Sequence, residues 1–165
     1  MLCDHDDVWL PEKIALTRKK FIEEMCVVAE KMKKAGKHFC YHNHHLEFKN
    51  FEGGFTPFVE LMKNFDDHVN FTFDTYWSDY AGYPAAKMLT LLKGRASRIH
   101  YKDLIIKENG TRTMSPVLEG DLNWDAIIDA TVKAGTEHVI VEQDVCEGDP
   151  FDCLKVSYDN LKNRF

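Results

Sequence analysis

Two hydrophobic periods alternate along this chain. Over residues 11–35, Ile14, Phe21, Met25, Val28, Ala29 and Met32 recur at steps of three, four or seven, while Lys and Glu fill the remaining face. This spacing predicts a long amphipathic helix, opened by Pro11 at a first helical position and stopped by Gly36. The run at 38–44, with Phe39, Cys40, Tyr41, His42, Asn43 and His44, reads instead as a strand with a polar C-terminal end. Gly53 and Gly54 mark a loop, and a helix is expected over 56–64. The same alternation continues with a strand at 69–74, a turn through Asp79 and Gly82, and a helix at 84–93 closed by Gly94. A third strand is expected at 98–102, then a long connection at 104–121 holding the Asn109-Gly110 turn signal and Pro116. Asp121 or Asn123 suits the cap of a helix running to Gly135, and a strand at 138–142 and a helix at 150–163 complete the chain.

Strand and helix in alternation, with connections of crossover length, predict an α/β fold with a parallel sheet. Each of the four clear strands places its ionisable residues at its C-terminal end, where ligands sit in open parallel sheets and in (β/α) barrels alike. No glycine-rich phosphate loop follows any strand, so a nucleotide-binding reading finds no support.

Composition narrows the classes. A chain of 165 residues with 44% hydrophobic residues suits one domain with a real core. Its 21 Lys and Arg against 27 Asp and Glu give a net charge of −6, without the basic face that nucleic acid requires. No apolar run approaches the roughly 20 residues that span a bilayer. The N-terminal Met-Leu-Cys-Asp-His-Asp-Asp is acidic where a signal peptide is basic, so a cytoplasmic protein is expected. Cys3, Cys26, Cys40, Cys146 and Cys153 are odd in number and scattered, which predicts reduced, small apolar side chains rather than disulfides or a zinc site.

Candidate chemistry lies at the strand ends. Residues two apart on a strand share a face, so Cys40, His42 and His44 form one stripe. Arg98, His100 and Lys102 form a second, and His138, Ile140, Glu142 and Asp144 a third. Singly, each donor has a structural explanation: a hydrogen-bonded strand histidine, an Asp74 turn cap, a paired Glu142. His45, His68 and His138 are read as exposed or turn residues. Jointly, His42 or His44, Asp74, His100 and Glu142 offer one N or O donor from each of four strands, which suits Mn²⁺, Mg²⁺, Co²⁺ or Zn²⁺. Glu47, three residues past His44, is placed to fold back toward the same point.

Several segments carry a resemblance. They are Tyr41-His42-Asn43-His44-His45-Leu46-Glu47-Phe48, Phe73-Asp74-Thr75-Tyr76-Trp77, Ala81-Gly82 and Gly94-Arg95. With them go Ile99-His100-Tyr101-Lys102-Asp103-Leu104, Val141-Glu142-Gln143-Asp144, Gly148-Asp149-Pro150 and Ser157-Tyr158-Asp159-Asn160-Leu161-Lys162. In order and spacing, from about residue 9 onward, they resemble the xylose isomerase-like sugar phosphate isomerase/epimerase family.

The resemblance implies a TIM barrel with a divalent cation at its C-terminal face, held by Glu, Asp, His and Glu from four strands. Those ligands map onto Glu47, Asp74, His100 and Glu142, with His44 or His42 as second choices for the first. It implies metal-assisted proton transfer on a sugar, keto-sugar or polyol through an enediolate, with Glu142 and Glu47 (or a histidine) as acid and base. Lys102, His42, His44 and Trp77 then become substrate contacts, Trp77 standing where several relatives place a histidine. A closed barrel has eight strands in about 250 residues. This chain offers four to five, counting a vestige at residues 1–4, so the expected fold is a partial (β/α) barrel lacking its N-terminal part. An open half-barrel exposes sheet edges and apolar faces, which predicts a homo-oligomer, most simply a two-fold dimer. The other outcome for such a chain is an inactive, self-associating or partner-binding subunit.

Overall fold

A computed structural model describes residues 14–50 and 56–164, with side chains from Lys19 onward. The expected first strand at residues 1–4, the Pro11 helix start and the Gly53-Gly54 loop lie outside these residues. Four parallel strands form the main sheet in the order β1-β2-β3-β6: β1 Phe39–His42, β2 Val69–Asp74, β3 Arg98–Tyr101 and β6 His138–Val141. The expected partial α/β barrel is therefore present as one open, all-parallel sheet among the described residues. Its strand-joining helices are α1 Ile14–Lys34, α2 Pro57–Asn64, α4 Ala85–Leu91 and α5 Trp124–Ala134, with α6 Pro150–Leu161 closing the chain.

Strand alternation sorts the side chains into two environments. Phe39 and Tyr41, Phe71 and Phe73, and Ile99 and Tyr101 join one buried core with Phe21, Phe58, Leu61, Met88, Leu89, Trp124 and Ile127 of the helices. The intervening positions, Cys40 and His42, Thr72 and Asp74, His100 and Lys102, carry the polar groups on the opposite face. Register places Asp74 beside His100, and His100 beside Ile140, so strand ends that carry donors finish level.

Two elements differ from the sequence expectation. The segment after β2 is a helix, α3 Thr75–Tyr80, rather than a turn. Thr, Trp, Tyr and Asp are weak helix formers, and the helix exists because the Asp74 side chain caps it by accepting from the Trp77 N–H at 3.0 Å. The long connection after β3 contains an antiparallel hairpin, β4 Asp103–Ile106 with β5 Arg112–Ser115. Its turn passes through Gly110 at φ 80° and closes by a Lys107 N–H to Thr111 O bond of 2.9 Å.

The change of direction from β3 into the hairpin is organised by Asp103, which is fully buried. Its carboxylate accepts from the Leu104, Leu118 and Gly120 N–H groups at 2.8, 2.9 and 2.9 Å and from Trp124 Nε1 at 2.6 Å. Such close wrapping leaves no room for a side chain at residue 120. A Cβ there falls 2.5 Å from the Leu104 carbonyl oxygen and 2.6 Å from both Asp103 Oδ1 and Ser115 Oγ. Gly120→Ala is therefore expected to destabilise the protein by about 2 kcal/mol or more in urea unfolding. A change below about 0.5 kcal/mol would show that the loop yields without cost.

Candidate functional site

The ends of β1, β2 and β3 are laced together by side chains where the backbone ladder stops. Asn43 accepts from the Asp74 N–H at 3.1 Å and donates to the Asp74 carbonyl at 3.5 Å, extending the β1–β2 pairing by one side-chain amide. Thr75 Oγ1 accepts from the Lys102 N–H at 3.0 Å and lies 2.8 Å from the Lys102 carbonyl and 3.2 Å from that of His100. These stitches hold the donors of three strands against one another.

Asp74 stands at the centre, with no exposure. His42 Nε2 lies 3.3 Å from its Oδ2, Lys102 Nζ 3.2 Å and His100 Nδ1 3.8 Å. Lys102, itself only 2% exposed, also reaches Glu142 Oε2 at 2.9 Å and Asp144 Oδ2 at 3.0 Å. Glu142 Oε2 is in turn 2.9 Å from His100 Nδ1, closing the cluster. His42, Asp74 and His100 each present a ligand atom, all within 4.8 Å of one another.

The charges of this cluster fix its protonation. Burial alone would raise the Asp74 carboxyl, but the His100 and His42 rings and the Lys102 ammonium outweigh it and hold the group far below the usual carboxylate range. Burial would likewise lower His100, yet Asp74 and Glu142 push it up to about 9. His100, and after it Lys102, hold Glu142 down to about 2 against the opposing effect of burial. Lys102 is raised by the same carboxylates despite its burial.

The donor set suits a divalent cation of the borderline to hard kind: two imidazoles, one buried carboxylate and a second carboxylate at their edge. One observation favours that use. Both ring nitrogens of His100 are buried without a well-directed hydrogen bond, although Glu142 lies only 2.9 Å from Nδ1. Ligand atoms close together but not aimed at one another are what convergence on a common point produces.

The structure places the other expected residues as follows. Glu47 is fully buried in a short 3₁₀ turn, Leu46–Phe48, where its carboxylate accepts from the Tyr41 hydroxyl at 2.6 Å and the His44 N–H at 3.0 Å. It is not one of the three residues whose ligand atoms lie within 4.8 Å of one another; the β1 member of that group is His42. His44 stands edge-on between His42 and Trp77, at ring separations of 4.8 and 5.2 Å. Trp77 continues the wall to Tyr76 and Tyr80, and its buried Nε1 has no hydrogen-bond partner among the described residues. Sequence reasoning assigned no role to Asn43, Thr75 and Asp144, which lace or neutralise the site; only the stripe of alternate residues through Glu142 hinted at Asp144.

With this geometry in view, comparison with known proteins gives a family. The chain belongs to the xylose isomerase-like TIM barrel family, whose model matches residues 5–151. No curated protein matches it. Among solved structures it is similar to a sugar phosphate isomerase/epimerase from Parabacteroides distasonis, with 22% identity over 98% of this chain and 56% of that one, at a TM-score of 0.75. It is also similar to the probable 3-DHS dehydratase AsbF of Bacillus anthracis, with 18% identity, 90% and 57% coverage, and a TM-score of 0.69. A third is the 3-keto-D-glucoside 4-epimerase YcjR of E. coli, with 15% identity, 94% and 59% coverage, and a TM-score of 0.65. These likenesses concern the fold, and the chain spans somewhat more than half the length of each of these structures. No helix among the described residues is long and apolar enough to cross a membrane.

The shifted groups set a pH signature for chelator-treated protein. His100 is held near 9 in the fold against an ordinary 6.5, so its contribution is complete below pH 6.5 and lost as pH rises through 9. Glu142, held near 2 against an ordinary 4.5, contributes fully above pH 4.5 and loses that contribution as pH falls toward 2. The urea midpoint of chelated protein is therefore expected to be highest between pH 4.5 and 6.5. His100→Asn should remove the decline on the alkaline side; a wild-type midpoint that stays level up to pH 9 would contradict the assignment.

Proposed function

We propose that this chain carries the metal-dependent proton-transfer site of a sugar isomerase or epimerase. The observation that carries the reading is the convergence of His42, Asp74 and His100 within 4.8 Å, with Glu142 at 2.9 Å from His100, at the C-terminal ends of parallel strands in a fold of this family. Asp74, His100 and Glu142 would hold the cation, with His42 as the β1 ligand and Glu47 as the competing candidate. When bound, the cation supplies a Lewis acid that polarises a substrate carbonyl and its neighbouring hydroxyl.

The chain's own residues supply the rest. Glu142 is 35% exposed, the more accessible carboxylate of the two nearest His100, and is assigned the transfer of the α-proton on its side of the substrate. Glu47 or His44 is assigned the opposite side; Tyr41 and the His44 N–H fix the Glu47 carboxylate in place. Lys102, whose three N–H donors face Asp74, Glu142 and Asp144, is assigned a substrate oxygen in place of Glu142 when that carboxylate holds the cation, and the indole N–H of Trp77 is a donor for a hydroxyl. The aromatic wall of Trp77, Tyr76 and Tyr80 offers a face for a sugar ring.

A second reading concerns assembly, and a specific observation favours it. β6 ends the sheet among the described residues with Val139 and Ile140 each 37% exposed, and α6, which follows it in the chain, exposes Phe151, Leu154 and Tyr158 at 81%, 40% and 66%. The spacing of those three puts them on one face of the helix. A second copy, turned about a two-fold axis along the strands, covers this edge with the β1 edge of its partner and doubles four parallel strands to the number of a closed barrel. In this reading the pair is the functional unit, or a non-catalytic subunit when substrate contacts are lacking.

Protein purified without chelator is expected to contain about one divalent ion per chain, and Asp74→Asn and His100→Ala to lose most of it. Comparing His42→Ala with Glu47→Gln decides the β1 ligand by the same elemental analysis. Exchange of ketose α-protons with deuterated water should fall by about 100-fold or more in Glu142→Gln. Unchanged metal content in all four variants sinks the metal site. Light scattering at micromolar concentration should give a dimer, and Phe151→Glu with Tyr158→Glu a monomer; a stable wild-type monomer refutes the assembly.

A further inference from the structure

The buried Lys102 ammonium meets three carboxylate oxygens: Glu142 Oε2 at 2.9 Å, Asp144 Oδ2 at 3.0 Å and Asp74 Oδ2 at 3.2 Å. Three acceptors match its three N–H donors. Two of these carboxylates have another claim on them. Asp74 and Glu142 also lie against His100, at 3.8 and 2.9 Å, and belong to the ligand set assigned above. Asp144 lies outside that set and is half-exposed. Charge separates the three in the same way. Asp74 and Glu142 together match a divalent ion, and Asp144 matches the ammonium. A buried ammonium beside a dication is repelled by it and is costly without a counter-charge of its own. Asp144 is the partner that stays available when the other two turn to a cation.

The fold holds Asp144 from its other side. The pairing of β6 with β3 ends with the Glu142 N–H on the Tyr101 carbonyl at 3.2 Å, so Asp144 lies beyond the ladder. Its own N–H meets Met114 Sδ at 3.2 Å. Met114 is buried with Tyr76 and Leu104, and it stands opposite Leu104 across the β4–β5 hairpin. The Leu104 N–H is in turn bound by the Asp103 carboxylate at 2.8 Å, and Asp103 follows Lys102 directly. Lys102, Asp103, Leu104, Met114 and Asp144 therefore close a ring of covalent and non-covalent links. The hairpin grips the same connection a second time through the ion pair of Lys107 with Glu147.

We propose that Asp144 is a positioning residue: braced by Met114 of the hairpin, it keeps the Lys102 ammonium aimed into the site when Asp74 and Glu142 engage a cation. The proposal rests on the metal-dependent reading of the site. Asp144 acts through Lys102 and needs no contact with substrate or cation. Without its hold, the flexible four-carbon stem lets the ammonium swing away from the like charge beside it, and a substrate oxygen loses its donor.

The test uses the full chain with Mn²⁺ alone. Reductive methylation by formaldehyde and cyanoborohydride, followed by peptide mapping, reads how firmly the Lys102 amine is held. In Mn²⁺-loaded protein, Asp144→Ala is expected to label at Lys102 about tenfold faster than wild type, the effect of losing one charge-assisted hydrogen bond. In chelated protein, where Asp74 and Glu142 still hold the ammonium, the same comparison should give less than about threefold. Asp144→Glu should restore slow labelling. Asp144→Asn, which keeps an oxygen acceptor without the charge, should fall between, and it carries the comparison if the alanine variant folds poorly. Mn²⁺ content should match wild type in all three variants. Equal labelling of wild type and variant with Mn²⁺ bound, an increase of the same size with and without it, no restoration by Asp144→Glu, or loss of Mn²⁺ from the variants would overturn the proposal. Wild-type protein that binds no Mn²⁺ would overturn the metal-dependent reading itself, and this proposal with it.

Discussion

A carboxylate with no solvent exposure, Asp74, governs how the rest of the structure is arranged. Leaving such a charge unpaired would cost several kcal/mol, so its neighbours must be charged or strongly polar. They come from different elements: His42 from β1, His100 from β3, Lys102 from the residue after β3, and the Trp77 N–H from α3. Satisfying one group therefore requires three strand ends and a helix start to meet at one point. That is a constraint on geometry more than a source of stability, since a buried ion cluster of this kind often does no better than apolar packing. Its value lies in the convergence itself.

Charge balance explains why the cluster is suited to receive a cation. Asp74, Glu142 and Asp144 bring three negative charges against Lys102 and protonated His100, which leaves one in excess. Exchange of the His100 proton for a divalent ion brings the same groups to balance, with Lys102 retained. Imidazole must be deprotonated to act as a ligand, so the carboxylates that raise His100 also oppose its release at low pH. Lys102 thus serves two ends: it neutralises Asp74 in the protein interior and leaves a single counter-charge to be supplied.

Much of this was legible in the sequence, for identifiable reasons. Strand alternation is strict in Phe71-Thr72-Phe73-Asp74 and Ile99-His100-Tyr101-Lys102, so the residues facing the core and the site separate by parity alone. Parity and strand length alone put Asp74, His100 and Glu142 at strand ends. Helix α3 was hidden because its residues disfavour helix and its cap belongs to the strand before it. The β4–β5 hairpin left its turn signal in Asn109-Gly110, but a connection between β/α units offered no reason to expect pairing. Nor does spacing tell His42 from Glu47, because the 3₁₀ turn after β1 decides where the Glu47 carboxylate points.

The least supported strand leads directly into Glu142, the carboxylate 2.9 Å from His100. β6 pairs on one side only with β3 among the described residues, and every one of its positions keeps some exposure, whereas β2 is buried almost throughout. Glu142 follows directly from β6, so its distance to His100 depends on an edge that local packing holds weakly. The Lys102 ammonium acts on that edge, drawing Glu142 and Asp144 inward from the β3 side. A surface covering Val139, Ile140 and the outer stripe of α6 would complete the support from the remaining side. The site's geometry and the edge's exposure are therefore one problem: whatever closes the sheet beside β6 also sets how firmly Glu142 is held against His100.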